Sequence, residues 1–408
     1  DRIARMADQL QRRLGLGLLT AYGVGVMVGA GIYVLVGTVI GQAGIWTPLA
    51  FLLAGLVALF SALSYAEFST RLPEAAGQAA YVEKGFSSRG LGILAGLAIA
   101  LTGTISGAAV LRGGVGYLTA FIDWPEPLLI VLIGAVLVVI AIVGVLESLA
   151  LIAILTVIEV AGLMAVVIAG FIAPPGPDWS GLADWPAPSA AGIAAAISLS
   201  VFAFIGFEDL TNMAEEAREP TRAMPRAILL ALFITSALYI LVSFAAVRVA
   251  SHAELGSSER PMALVWETAT GRSAGFLSAI AVAAALNGVL AQIVMAARVL
   301  FGLGRRSRML EPFTQAHPRF GTPVRATLLV GAAMLAAALL LPVETLAEAA
   351  AMVLLAVFVV VNGALIRLHR REPEAPFRVS AWIPWVGLVL ALAAFGAALV
   401  SLVSGWRG

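Results

Sequence analysis

The chain has 408 residues, 61% of them hydrophobic and only 12% charged, with a formal net charge of +1. A soluble domain carries about 25% charged residues, so this composition excludes an ordinary soluble fold and points to one polytopic membrane bundle. The near-neutral charge gives no basis for binding nucleic acid, and the absence of cysteine removes disulfides, thiol catalysis and Cys-based metal sites together.

Residues 1–13 read as a charged, amphipathic entry segment rather than a cleavable signal. Hydropathy then marks eleven apolar spans, at 14–41, 46–69, 90–117, 127–146, 149–173, 188–212, 226–250, 273–303, 323–341, 345–366 and 382–404. The first, LGLGLLTAYGVGVMVGAGIYVLVGTVIG, carries Gly23, Gly25, Gly29, Gly31 and Gly37. Glycine is a poor helix former, and in hydrocarbon every loose N–H or C=O must find a partner. The pattern predicts a helix interrupted near Val28–Ile32, where freed backbone groups receive a polar ligand. The alternative is that these glycines only permit close helix packing. On the ligand reading, valine at Gly31 crowds the ligand out and leaves the fold intact.

The third span offers small residues at pocket depth, Thr102, Gly103, Thr104, Ser106 and Gly107. In the fifth, Glu159 lies about ten residues in, hence ~15 Å deep at 1.5 Å per residue. An ionisable group at that depth is a functional candidate. Three readings stand for it: a proton carrier, a holder of loose backbone groups from the first span, or a pore-lining residue.

The sixth span reads AISLSVFAFIGFEDLTNMAEEAREPTRAMPRAI and turns from apolar to acidic at Glu208 and Asp209. Two adjacent acids within a span are costly and read as functional; alternatively the helix reaches the interface there and both meet water. Spans 1 and 6 open successive groups of five helices. An odd number per group inverts the second, and paired interruptions in inverted halves are a pointer to a transporter binding site. His252, His317 and His369 fall in predicted loops and form no metal-ligand cluster, so neither a metal nor a cofactor is expected. Basic residues collect in alternate loops (Arg2, Arg5, Arg12 and Arg13; Arg71, Lys84 and Arg89; Arg218, Arg222 and Arg226; Arg305 to Arg325; Arg367 to Arg378). The other side holds Arg248, Arg260, Arg272 and Arg407, so the N-terminus is expected in the cytoplasm.

Several motifs in order carry a family likeness: GVGVMVGAGIYVLVG; Ser64-Tyr65-Ala66-Glu67 with Arg71-Leu72-Pro73; Gly206-Phe207-Glu208 with Ala214-Glu215-Glu216; and Pro220-Thr221-Arg222-Ala223-Met224-Pro225-Arg226. Ala297-Arg298-Val299-Leu300-Phe301, Thr322-Pro323 and Pro376-Phe377-Arg378-Val379 extend it. The sequence resembles the amino acid–polyamine–organocation (APC) superfamily, in particular bacterial amino acid permeases and cationic amino acid transporters. The resemblance implies an all-α polytopic membrane protein with the leucine-transporter-type 5+5 inverted repeat and discontinuous helices 1 and 6. Its repeats would be 14–173 and 188–366, followed by one helix, 382–404, where the family usually has two. It also implies a secondary active transporter or exchanger of amino acids in the cytoplasmic membrane, not an enzyme; the alternative is a non-transporting sensor or accessory subunit of the same fold.

On that resemblance, the substrate carboxylate meets the N–H groups of Gly29, Ala30 and Gly31, where a half-helix N-terminus favours an anion. The ammonium meets carbonyls among Met27, Val28, Phe202, Ala203 and Ile205, and Ile32, Phe204 and Gly206 complete the expected substrate-binding set. Phe202, Phe204 or Phe207 would form an aromatic lid, with Phe202 and Phe207 as gating candidates; packing is the alternative for each. Sodium-driven relatives place hydroxyls where this chain, aligned on Asn287, has Ala283-Ala284, so sodium coupling is not expected. Proton-dependent relatives have a lysine where this chain has Glu159, leaving Glu159 and Glu208 as coupling or pH-sensing candidates and protons as the candidate ion. The few polar groups favour a small or medium neutral substrate, while Glu208 would suit a cationic one. Without cysteine no disulfide-linked subunit is expected.

Overall fold

The structure is a computed structural model describing residues 14–72, 77–144, 149–179, 181 and 185–405. The entry segment, Pro73 and Arg407 lie outside the described residues. In chain order the α-helices are α1 (Leu16–Ala30), α2 (Ile32–Ala43), α3 (Thr47–Arg71), α4 (Gly77–Phe86), α5 (Arg89–Leu118), α6 (Glu126–Val143), α7 (Leu149–Ile172) and α8 (Ala190–Ala203). There follow α9 (Pro220–Val249), α10 (His252–Ser257), α11 (Pro261–Thr270), α12 (Gly275–Gly304), α13 (Val324–Leu340), α14 (Val343–Arg371) and α15 (Ile383–Gly405). Shorter 3-10 turns cover Gly44–Trp46, Asp209–Glu216 and Arg308–Phe313.

Among the described residues eight segments are long and apolar enough to cross a membrane, and Leu16–Gly29, Ala190–Ala203 and Val324–Leu340 are apolar but shorter. Together they fall on the eleven spans read from hydropathy. Two of the short helices are the first halves of interrupted spans, α1 and α8. Local chemistry sets the ends. Proline opens α3, α6, α9 and α11, where its missing N–H costs nothing. Ser88 and Ser189 accept from Leu91 N–H and Gly192 N–H to cap α5 and α8. Gly144 ends α6 with φ +71°.

Three features depart from the sequence reading. The segments expected as loops after spans 2 and 7 contain α4, α10 and α11. α14 continues to Arg371, so His369 lies in its last turn and is buried, not in a loop. His252 opens α10 rather than a free loop.

The long helices α5 and α12 pack together, and α1 is held by α7, α9 and α12. A buried polar knot ties α3 to α14 at their basic end. Glu67, 0% exposed, accepts from Arg71 Nε at 2.8 Å, pairs with His369 Nε2 at 2.9 Å and accepts from Val379 N–H at 2.9 Å. One stretch deeper, Asn362 donates to Ser61 Oγ and accepts from Ser64 Oγ. A short parallel bridge also joins the heads of two segments far apart in sequence. Leu14 N–H donates to the Glu216 carbonyl and Arg218 N–H to the Leu14 carbonyl, each at 3.0 Å.

Candidate functional site

The first interruption is a single residue. Gly31, at φ −127° and ψ −60°, separates α1 from α2. Gly29 and Ala30 sit in the last turn of α1, where an amide bonds back four residues. The first bond of α2 runs from Leu35 N–H to the Gly31 carbonyl at 2.9 Å, so Gly31, Ile32, Tyr33 and Val34 supply the donors at the break. The donor set thus overlaps the Gly29–Gly31 assignment read from sequence at Gly31 and runs on from it into α2.

The second interruption is wider. α8 ends at Ala203, residues 204–208 form turns, and a 3-10 run follows over Asp209–Glu216. Gly206 has φ +124°, a conformation that only glycine adopts without strain. A Cβ there would meet Val26 Cγ1 at 2.6 Å and Met27 N at 3.3 Å. A Cβ on Gly31 would run into the Ala203 Cα, with the Ala203 Cβ at 2.7 Å. The two breaks therefore lie directly on one another. Valine at Gly31 would strike this contact as well as any ligand, so the expectation of an undisturbed fold is withdrawn. Gly29 faces α12: its Cβ would lie 3.0 Å from the Ala284 carbonyl oxygen, which puts the Ala283-Ala284 pair beside the first break.

Met27, Val28, Gly29, Gly31 and Ile32 are buried, as are all of Phe202 to Gly206. Phe204 packs on Tyr239 at 5.3 Å between ring centres, and Phe207 on Tyr65 and Phe358 at 5.6 and 5.5 Å. The Thr102 and Thr104 hydroxyls bond carbonyls of their own helix, while Gly103 and Gly107 pack against Gln292 and its neighbours. The apolar crevice lined by Leu111, Leu118, Ile133, Val282 and Val289 includes none of the expected site residues.

Glu208 and Asp209 are only 2% and 3% exposed, which overturns the reading that they meet water. Glu208 Oε2 accepts from Gly206 N–H at 3.0 Å, and its backbone carbonyl accepts from Thr211 Oγ1 at 2.6 Å. Gln292 of α12 donates to Asp209 Oδ2 at 3.3 Å. Glu159, 1% exposed, has no hydrogen-bond partner on either carboxyl oxygen among the described residues. Only its backbone carbonyl is engaged, by the Tyr33 hydroxyl at 2.9 Å. The carboxyl does not hold the loose backbone of the first span; Thr156, one turn earlier, touches α1 away from the break, donating to the Ala21 carbonyl at 3.2 Å. Among the described residues no group of His, Asp and Glu side chains could hold a metal ion.

One residue that the sequence reading missed stands between the breaks. Tyr239 of α9 is fully buried, and its hydroxyl donates toward the Met27 carbonyl at 2.8 Å and the Ala203 carbonyl at 2.9 Å. Its sequence signal is weak, one polar tip among Thr235, Ser236 and Ser243 in an otherwise apolar run.

A bundle of apolar spans, two of them interrupted and touching at their interruptions, has the build of a membrane transporter. The chain belongs to the amino acid permease family, whose model matches residues 14–405, within the APC superfamily. It is 27% identical to the branched-chain amino acid permease BcaP of Bacillus subtilis, over 97% of this chain and 89% of that protein. It is likewise 27% identical to the methylthioribose transporter of Bacillus subtilis, over 94% of this chain and 87% of that protein. Against the cationic amino acid transporter 4 of Mus musculus the identity is 31%, over 91% of this chain and 62% of that protein. The family is one of permeases, not enzymes.

Proposed function

We propose that the protein is a secondary transporter or exchanger of amino acids that works by alternating access between two inverted five-helix repeats. The observation carrying this reading is the contact of the two breaks, Gly31 on Ala203 and Gly206 on Met27. It brings the carbonyl ends of α1 and α8 beside the amide end of α2, the complementary pair an amino acid's ammonium and carboxylate require. Substrate would lie along Met27–Ile32 and Phe202–Gly206, with Phe202 and Phe207 closing over it. The basic loops support a cytoplasmic N-terminus in the cell membrane. A thermal-shift screen against all amino acids, polyamines and methylthioribose tests the reading, because a ligand that binds only the folded state raises its melting temperature. A panel with no responding amino acid would overturn it.

Ion coupling yields two expected results. Beside the first break, alanines 283 and 284 offer no side-chain oxygen to a hard cation. Replacing sodium by choline at fixed pH and ionic strength should leave substrate affinity unchanged, within about twofold, on the strength of that ligand deficit; a clear gain with sodium would refute this. Glu159, buried with both carboxyl oxygens unpartnered, is the proposed proton carrier. Glu159→Gln should reduce gradient-driven accumulation to simple equilibration while exchange at equal pH continues. A gradient response that survives the substitution removes Glu159 from coupling, and loss of both activities along with the fold makes its role structural.

A further inference from the structure

The last four carbonyls of a helix have no amide partner within it. Met27 belongs to that set in α1, and Ala203 to the same set in α8. Both residues are fully buried, where a carbonyl without a donor is costly. The Tyr239 hydroxyl reaches both, at 2.8 and 2.9 Å, from a third helix. A hydroxyl owns one proton and an ammonium three. Two acceptors converging on one point are therefore better served by an ammonium than by the group that serves them here.

We propose that the Tyr239 hydroxyl is a stand-in for the substrate's ammonium group: it sits between the two carbonyls that form the amine subsite, and a primary ammonium displaces it. The inference rests on the amino acid reading above and deepens it. Tyr239 becomes a specificity-determining residue. A ligand without a multi-proton donor gains nothing by moving the hydroxyl, because it would leave two buried carbonyls less well served than before. The ring packs on Phe51 at 5.6 Å and on Phe204 at 5.3 Å between centres, so lifting the hydroxyl off the two carbonyls takes a tilt of the ring against these two neighbours.

The test compares wild type with Tyr239→Phe by thermal shift and titration calorimetry. The probes are the amino acid giving the largest shift in the screen and the carboxylic acid that lacks only its amino group. Phenylalanine keeps the ring contacts and deletes the hydroxyl. The ligand-free variant should melt lower than wild type, since two buried carbonyls lose their donor. It should bind the amino acid about five- to tenfold more tightly, because the ligand no longer has a hydroxyl to displace. The deaminated acid should gain nothing. Site-specific 3-fluorotyrosine at position 239, a stronger donor of nearly the same size, should act in the opposite sense and weaken amino acid binding; it decides the matter alone if the phenylalanine variant does not fold. Unchanged or weaker binding by Tyr239→Phe, with wild type still requiring the amine, would overturn the proposal and make the hydroxyl an ordinary ligand contact. If wild type binds the deaminated acid as tightly as the amino acid, the amine is not read at the breaks, and the underlying reading fails along with the inference.

Discussion

Replacing Gly31 by valine is expected to abolish uptake into proteoliposomes and to lower the melting temperature. The backbone of Gly31 lies so close to Ala203 that even a Cβ would overlap its Cα and Cβ. Overpacking a close-fitted interior costs about 1–3 kcal/mol, and here the strain falls where the two interruptions meet. Gly31→Ala should show the same defect in milder form. Gly17, whose Cβ would meet nothing within 4 Å, provides the control: Gly17→Ala should be neutral or slightly stabilising. A well-folded Gly31→Val protein with normal uptake would show that the breaks need not touch. Close packing and ligand binding, set against each other in the sequence reading, are not exclusive in this geometry. The Cα of Gly31 packs, while the amides that follow it begin α2.

Glu67→Ala is expected to be the most destabilising single substitution at the basic end of the bundle. The carboxylate is wholly buried and serves Arg71, His369 and the Val379 amide at once. Removing one partner of a buried ion pair strands the other, at a cost of about 3–5 kcal/mol. The comparison is Lys84→Ala, which breaks a pair with Glu372 that is 2.7 Å long but has side chains 43% and 44% exposed. Exposed pairs contribute about 0–1 kcal/mol. Melting curves in detergent should therefore separate the two variants widely. Equal melting temperatures would mean that Arg71 and His369 find other partners, or water, once Glu67 is gone.

What could be read from the sequence follows from the range of each signal. Spans announce themselves locally, because some twenty apolar residues in a row are a local fact. All eleven stand where hydropathy put them. The glycine cluster marked the first interruption, but as a zone: nothing in GVGVMVGAGI singles out Gly31 over Gly29, and only the approach of Ala203 does. The acidic pair Glu208–Asp209 was visible, but its burial was not, since Gln292 reaches it from 83 positions away. Tyr239 gave almost no signal, because its partners Met27 and Ala203 lie 212 and 36 positions off. His369 was misplaced in a loop because the hydropathy of α14 fades before its helix does; the Glu67 that holds it is 302 positions away.

The lower half of the sixth span is wound as a 3-10 helix over the eight residues Asp209–Glu216. Runs of that winding beyond three or four residues are uncommon, and they rise about 2.0 Å per residue against about 1.5 Å in an α-helix. Rewinding the same residues as α-helix would shorten them by about 4 Å, a piston stroke that requires no hinge. The stroke would not stay within the sixth span. Glu216 and Arg218 grip both backbone groups of Leu14 just ahead of α1, so the two strands of chain are yoked at that end. Any change in the length of one is delivered as a push or pull on the head of the other, and the two interrupted helices are geared together at the far end from where they touch.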